Sequence, residues 1–202
     1  MKALLGLSQR IDGMTAWIGR IMAWAIVAAI VISAGNAIIR KVFDTSSNAW
    51  LEVQWWLFGL AFLLCSPWTL SSNEHIRIDI VNNLMPRWMK NAVEMIGHAF
   101  FLLPVCVVMV VTSVPFFWSS FKQNEGSGNF GGLIQWPAKL LLPVGFTLLF
   151  IQGISELIKR IGIIRGDLVD TASGGGHHAA AEAEAKRLQE ALEEEARKRG
   201  TA

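Results

Sequence analysis

Between positions 73 and 80 the chain reads NEHIRIDI, the densest mixture of acid, base and imidazole between its apolar stretches. Glu74, His75, Arg77 and Asp79 alternate there with Ile76, Ile78 and Ile80. Side chains of these types can hold a metal, move a proton or meet a charged surface. Other groups capable of chemistry are scattered. Asn36, Glu52, Gln54, His98, Gln152 and Glu156 lie within or beside long apolar runs, where a polar side chain invites a functional reading. Lys159 and Arg160 follow Glu156 at i+3 and i+4 and suit a local interfacial ion pair. Asn36 and Gln152 suit hydrogen bonds to neighbouring helices. Cys65 and Cys106 fall inside apolar runs without zinc-type spacing, so they read as small buried hydrophobes rather than ligands or a disulfide framework.

The motifs of soluble catalysis are absent from the sequence: there is no Walker A pattern, GxSxG, HExxH or dinucleotide fingerprint. Nor is there a midplane chain of carboxylates, or a matched pair of broken helices such as transporters use to hold substrate. His177-His178 alone does not make a metal site. Haem is the main chemical alternative, because His75 and His98 would lie near the same membrane face. That reading makes the chain a haem-binding membrane anchor of a redox complex. A structural membrane protein with no transport role is a further alternative.

The elements that must position these groups are apolar and long. Of 202 residues, 52% are hydrophobic and 17% charged, against about 25% charged in a typical globular chain. Mean hydropathy is +0.41. Much of the charge is gathered between Glu182 and Arg199. A net charge of +2 without a basic stripe gives no reason to expect nucleic acid as a partner. Four stretches suit transmembrane helices, at about 18–39, 51–70, 96–118 and 139–158. About 20 apolar residues are needed to cross a hydrocarbon core of roughly 30 Å. The first runs past the small residues Ser33-Ala34-Gly35 and has a long charged stretch before it, so it reads as an uncleaved helix rather than a signal peptide.

Lysine and arginine near the span ends set the orientation. Lys2, Arg10, Arg20, Arg77, Arg87, Lys90, Lys159, Arg160 and Arg165 fall on one side; Arg40, Lys41, Lys122 and Lys139 fall on the other. Both termini are therefore expected in the cytoplasm. Nine tryptophans and no tyrosine mark the span boundaries, with Trp17, Trp50, Trp68, Trp88, Trp118 and Trp136 at the ends where amphipathic rings prefer to sit.

Between spans two and three, Ile76, Ile78, Ile80, Val81, Leu84 and Met85 gather on one helical arc opposite Asp79, Asn82 and Asn83, with Arg77 the exception. A lone strand there would leave its backbone unpaired at the bilayer, so the segment 74–94 reads as an in-plane amphipathic helix interrupted near Pro86. The loop before span four carries NEGSGNFGG at 124–132. It lacks the following helix start and lysine of a phosphate cradle and reads as a flexible exposed loop, with Phe121, Phe130 and Trp136 available to a partner. After Asp170 a Ser-Gly-Gly-Gly linker leads into a helix rich in Ala, Glu, Lys and Arg. The expected architecture is an all-α membrane protein: a transmembrane domain over 1–169 with four transmembrane helices and the in-plane helix, and a soluble C-terminal helix within 170–202.

The order of these features resembles the small membrane subunit of tripartite ATP-independent periplasmic (TRAP) transporters, the DctQ-type permease, over roughly residues 15–165. The residues that carry the resemblance are Arg40 closing span one, WLEVQWWLFGLAFLL with Glu52 and Gly59 opening span two, then His75-Ile76-Arg77-Ile78-Asp79, and Pro137 with Pro143-Val144-Gly145 in span four. Ser66-Pro67-Trp68, late in span two, departs from the pattern and puts a proline where it removes a backbone donor. The resemblance implies a non-enzymatic scaffold without cofactor or metal. It would pack beside a large permease subunit, for sodium-coupled uptake of a small organic anion delivered by a periplasmic substrate-binding protein. In that setting Arg40, Glu52, Gly59, His75, Arg77 and Asp79 would be subunit-contact or membrane-anchoring residues.

Overall fold

The computed structural model describes residues 2–44, 47–72 and 86–165. They form five α-helices: α1 (Lys2–Phe43), α2 (Asn48–Ser71), α3 (Arg87–Ile96), α4 (Leu103–Gln123) and α5 (Trp136–Ile164). A π-helical segment, Gly97–Leu102, joins α3 to α4. Helical dihedrals continue through both junctions, so α3, the π turn and α4 make one helical run. Among the described residues β pairing is confined to one isolated antiparallel bridge, Gly126 with Ile134.

Four helical runs are long and apolar enough to cross a membrane: Leu4–Phe43, Asn48–Ser71, Asn91–Gln123 and Trp136–Ile164. Each overruns the stretch expected from the sequence, since polar residues beyond an apolar run are still good helix formers. The chain is an all-α membrane protein. The in-plane helix expected over 74–94 lies outside the described residues as far as position 85; beyond it, Arg87–Ile96 leads unbroken into the third spanning run. His75, Arg77, Asp79 and the linker and helix expected at 170–202 also lie outside the described residues.

Helix α5 is the hub and packs against α1, α2, α3 and α4. Close approach is achieved with small residues, which let backbones meet where no hydrophobic driving force separates protein from lipid. A Cβ on Gly19 of α1 would stand 2.6 Å from Trp68 Cε3 of α2; one on Gly145 of α5 would stand 2.8 Å from Leu63 Cβ of α2. Pro67 is buried within α2 and has no N–H to offer the carbonyl of Leu63. Gly145 approaches at that same carbonyl, 3.4 Å from where its Cβ would be. Trp68 thus serves as packing against Gly19 as well as a boundary residue.

The interior is polar and the exterior apolar. The buried side chains include Ser8, Thr15, Glu52, Gln152 and Ser155, while Trp24, Phe62 and Phe100 stand more than 70% exposed. Buried polar groups in such a protein must find partners within the chain. They do so in two clusters, one at each end of the helices.

Candidate functional site

Glu52 lies one turn into α2 and is 3% exposed. Its carboxylate is filled by donors from the loop joining α4 to α5. Oε1 accepts the Ser127 hydroxyl and Asn129 Nδ2, the latter at 3.0 Å. Oε2 accepts the Leu133 backbone N–H at 2.6 Å and Gln135 Nε2 at 3.4 Å. Two bonds to each oxygen use the lone pairs a carboxylate has to offer. One turn earlier, Asn48 Nδ2 donates to the Phe130 carbonyl at 2.9 Å. The start of α2 therefore holds the whole loop.

The loop is shaped to meet it. Asn124 ends α4 in the left-handed region with φ 46°, and Gly131 turns the tip with φ 72°. The Ser127 N–H donates to the Leu133 carbonyl at 2.9 Å and the Gln135 N–H to the Glu125 carbonyl at 2.8 Å. Gly132 is obligatory by space: a Cβ there would stand 2.7 Å from Glu52 Oε1 and 2.5 Å from Ser127 Cβ. Beneath the loop, Phe121 meets Trp136 edge-on at 5.3 Å between centroids, and Phe117 and Trp118 flank Phe121. Lys139 Nζ lies 4.1 Å from the Phe116 ring centroid and pairs with Glu125. The hydrogen bond from Lys139, then the neighbouring Ser120 hydroxyl, hold the Glu125 carboxyl below the usual carboxylate range. Phe130 at the tip is 98% exposed. The loop expected to be flexible is thus built around a carboxylate.

A second cluster ties α1 to α5 at the opposite end. Gln152 accepts the Thr15 hydroxyl at 2.9 Å and donates both amide hydrogens, to Asp12 Oδ1 at 2.7 Å and Glu156 Oε1 at 3.2 Å. Ser155 Oγ donates to Asp12 Oδ1 at 3.0 Å and lies 2.7 Å from Ser8 Oγ. Lys159 bridges Asp12, at 3.1 Å, and Glu156. Arg160 turns to α3, pairing with Glu94 and donating to Asn91 Oδ1 at 3.2 Å. Glu156 makes the local pair with Lys159 that its spacing suggests, whereas Arg160 makes a tertiary one.

The sequence-derived candidates are not gathered in one place. Glu52 organises the loop. Arg40 is exposed in the last turn of α1. Gly59 is half-buried with open space where a Cβ would go, next to exposed Phe58 and near Trp55 and Phe62. His98 lies at the other end of the helices, with Nδ1 2.7 Å from the Glu94 carbonyl. Its proposed haem partner, His75, is outside the described residues. Sequence reading missed Ser127, Asn129 and Gln135, which look like ordinary loop polarity. It also missed Ser8, Asp12 and Thr15, although with Gly19 their spacing of four, three and four puts them on one helix face.

Two carboxylate-centred clusters are bound by donors from their own chain, one joining α2 to the α4–α5 loop and the other joining α1 to α5. No curated protein and no solved structure is significantly similar to the chain. Residues 29–162 match the family described as tripartite ATP-independent periplasmic transporters, DctQ component. The chain belongs to that family and is a small membrane subunit of a TRAP transporter.

Proposed function

We propose that this subunit is a stationary scaffold in the bacterial inner membrane. It packs beside a large permease subunit that performs sodium-coupled uptake of a small organic anion, such as a carboxylic acid, delivered by a periplasmic binding protein. The observation that carries the reading is the closure of both clusters. Glu52 receives four donors from the loop joining α4 to α5, and Asp12 receives Gln152, Ser155 and Lys159. Carboxylates engaged in this way brace helices rather than bind and release cargo. The family is a transporter component, not a class of enzymes. The lysine and arginine bias supports cytoplasmic termini, which sets the Glu52 loop on the periplasmic side, where the binding protein arrives.

Exposed Arg40, and Gly59 among exposed Trp55, Phe58 and Phe62, are available to the large subunit. His75, Arg77 and Asp79 are proposed as further contact or anchoring residues. Arg77→Ala and Asp79→Ala are then expected to lower complex yield without changing the binding protein's own affinity for substrate. The direct test is reconstitution in proteoliposomes with a panel of labelled carboxylates. Uptake should need this chain, the large subunit, the binding protein and an inward sodium gradient. Full uptake without this chain would overturn the scaffold role, and uptake indifferent to sodium would overturn the coupling.

A further inference from the structure

Helix α1 is 42 residues long, about 63 Å at 1.5 Å per residue. Its uncharged part, Ile21 to Ile39, covers about 28 Å, already close to the hydrocarbon thickness of roughly 30 Å. The preceding part, Leu4 to Arg20, nevertheless has an order of polarity that water would not produce. The face packed on α5 is polar: Ser8 and Thr15 are each 1% exposed, and Asp12 is bound into the cluster. The face left uncovered is apolar, with Leu4, Leu7 and Met14 between 42% and 50% exposed and Trp17 at 63%. These positions fall on one helical arc that continues into the exposed Ile21 and Trp24 of the spanning part. A third face carries exposed Gln9, Gly13 and Arg20, with Gln9 and Arg20 supplying its polarity.

We infer that α1 runs strongly tilted from the membrane normal, so that Leu4 to Arg20 stays in the headgroup region beside the hydrocarbon core, with the Leu4–Leu7–Met14–Trp17 stripe against acyl chains and the Gln9–Gly13–Arg20 face toward headgroups. Three observations select lipid as the occupant. The stripe is continuous with the exposed face of a spanning helix. A separate polar flank faces outward beside it, as an interfacial helix requires. Arg10, which interrupts the stripe, and Arg20 are exposed and carry positive charge suited to anionic headgroups. The Asp12 cluster is then the inner wall of a membrane-embedded segment, sealed from lipid by α1 itself.

Spin labels placed singly at Leu7→Cys, Gln9→Cys, Gly13→Cys and Met14→Cys test this, with both native cysteines replaced by alanine. The full chain is held in nanodiscs of phosphatidylethanolamine with a minor fraction of phosphatidylglycerol. Collision with dioxygen, which partitions into lipid, should exceed collision with a water-soluble nickel chelate at positions 7 and 14, and the order should reverse at 9 and 13. Nickel-dominated relaxation at 7 and 14 would place the stripe in water and overturn the inference. Protection from both reagents would place protein there and overturn it equally. Hydroxyl-radical footprinting of the unsubstituted chain in the same nanodiscs is independent of any labelling damage. Met14 should oxidise at least several-fold more slowly than in its free tryptic peptide; equal rates would refute membrane embedding.

Discussion

Gln152→Leu separates hydrogen bonding from packing at the α1–α5 joint. Gln152 is fully buried, and leucine nearly matches its volume, so little cavity opens. Three hydrogen bonds disappear. The one to Glu156 lies within α5 and leaves that carboxylate its Lys159 partner. Those to Thr15 and Asp12 cross between helices. Asp12 keeps Ser155 and Lys159, and the Thr15 hydroxyl keeps the Ile11 and Asp12 carbonyls at 3.1 Å each. No group is orphaned, so the cost is that of two interhelical bonds. Such bonds in membrane proteins average about 0.6 kcal/mol and reach about 1.7 kcal/mol, giving a loss of about 1–3 kcal/mol. The measurement is a reversible unfolding titration in mixed micelles, followed by helical circular dichroism. Gln152→Glu is nearly isosteric, but it sets a third carboxylate against Asp12 and Glu156, so at neutral pH it should destabilise more than leucine does. A Leu variant within about 0.3 kcal/mol of the parent, or a Glu variant at least as stable as the Leu one, would show that the cluster does not hold α1 in place.

The other expectations concern the loop. Glu52→Gln turns one acceptor oxygen into a donor facing other donors, so amide exchange at Ser127, Leu133 and Gln135 should quicken by about tenfold or more, read by hydrogen–deuterium exchange. Gly132→Ala should give the same pattern with the charge intact, because its Cβ would intrude on the Glu52 carboxylate; unchanged exchange would mean the loop relaxes around a methyl group. Glu125 titrates below its unfolded value, so its pairing with Lys139 stabilises the loop at neutral pH and is lost as pH falls through the depressed folded value. Chemical shifts of the Gln135 amide should therefore hold steady down to about pH 4.3, the ordinary glutamate value, and move only in more acid solution.

The spans were legible in the sequence because they depend on a one-dimensional quantity, uninterrupted apolar length. The family resemblance was legible for a related reason: Glu52, Gly59 and the span-four prolines sit at fixed places within those spans. What Glu52 does was not legible. Its donors lie 75 to 83 residues further along the chain, and no periodicity links a helix start to a loop that far away. The α1 cluster was half-legible, since Ser8, Asp12, Thr15 and Gly19 share a face. Asp12 lies in the charged stretch ahead of span one, and apolar length draws attention to where a span begins rather than to what precedes it. The partners of Arg160 were hidden differently: Glu156 offered a local explanation, and the tertiary pair with Glu94 won because Arg160 is buried at the α3–α5 contact.

Every donor to Glu52 is neutral: a hydroxyl, two side-chain amides and a backbone N–H. Mobile ions screen pairs of exposed charges, but there is no countercharge among these donors for them to screen, and the carboxylate is shielded from solvent. The hold of Glu52 on the loop is therefore insensitive to salt, whereas the Glu125–Lys139 pair at the loop's edge, with Glu125 44% exposed, is open to screening. Raising the ionic strength thus loosens the loop at Glu125 and leaves its seat on α2 in place.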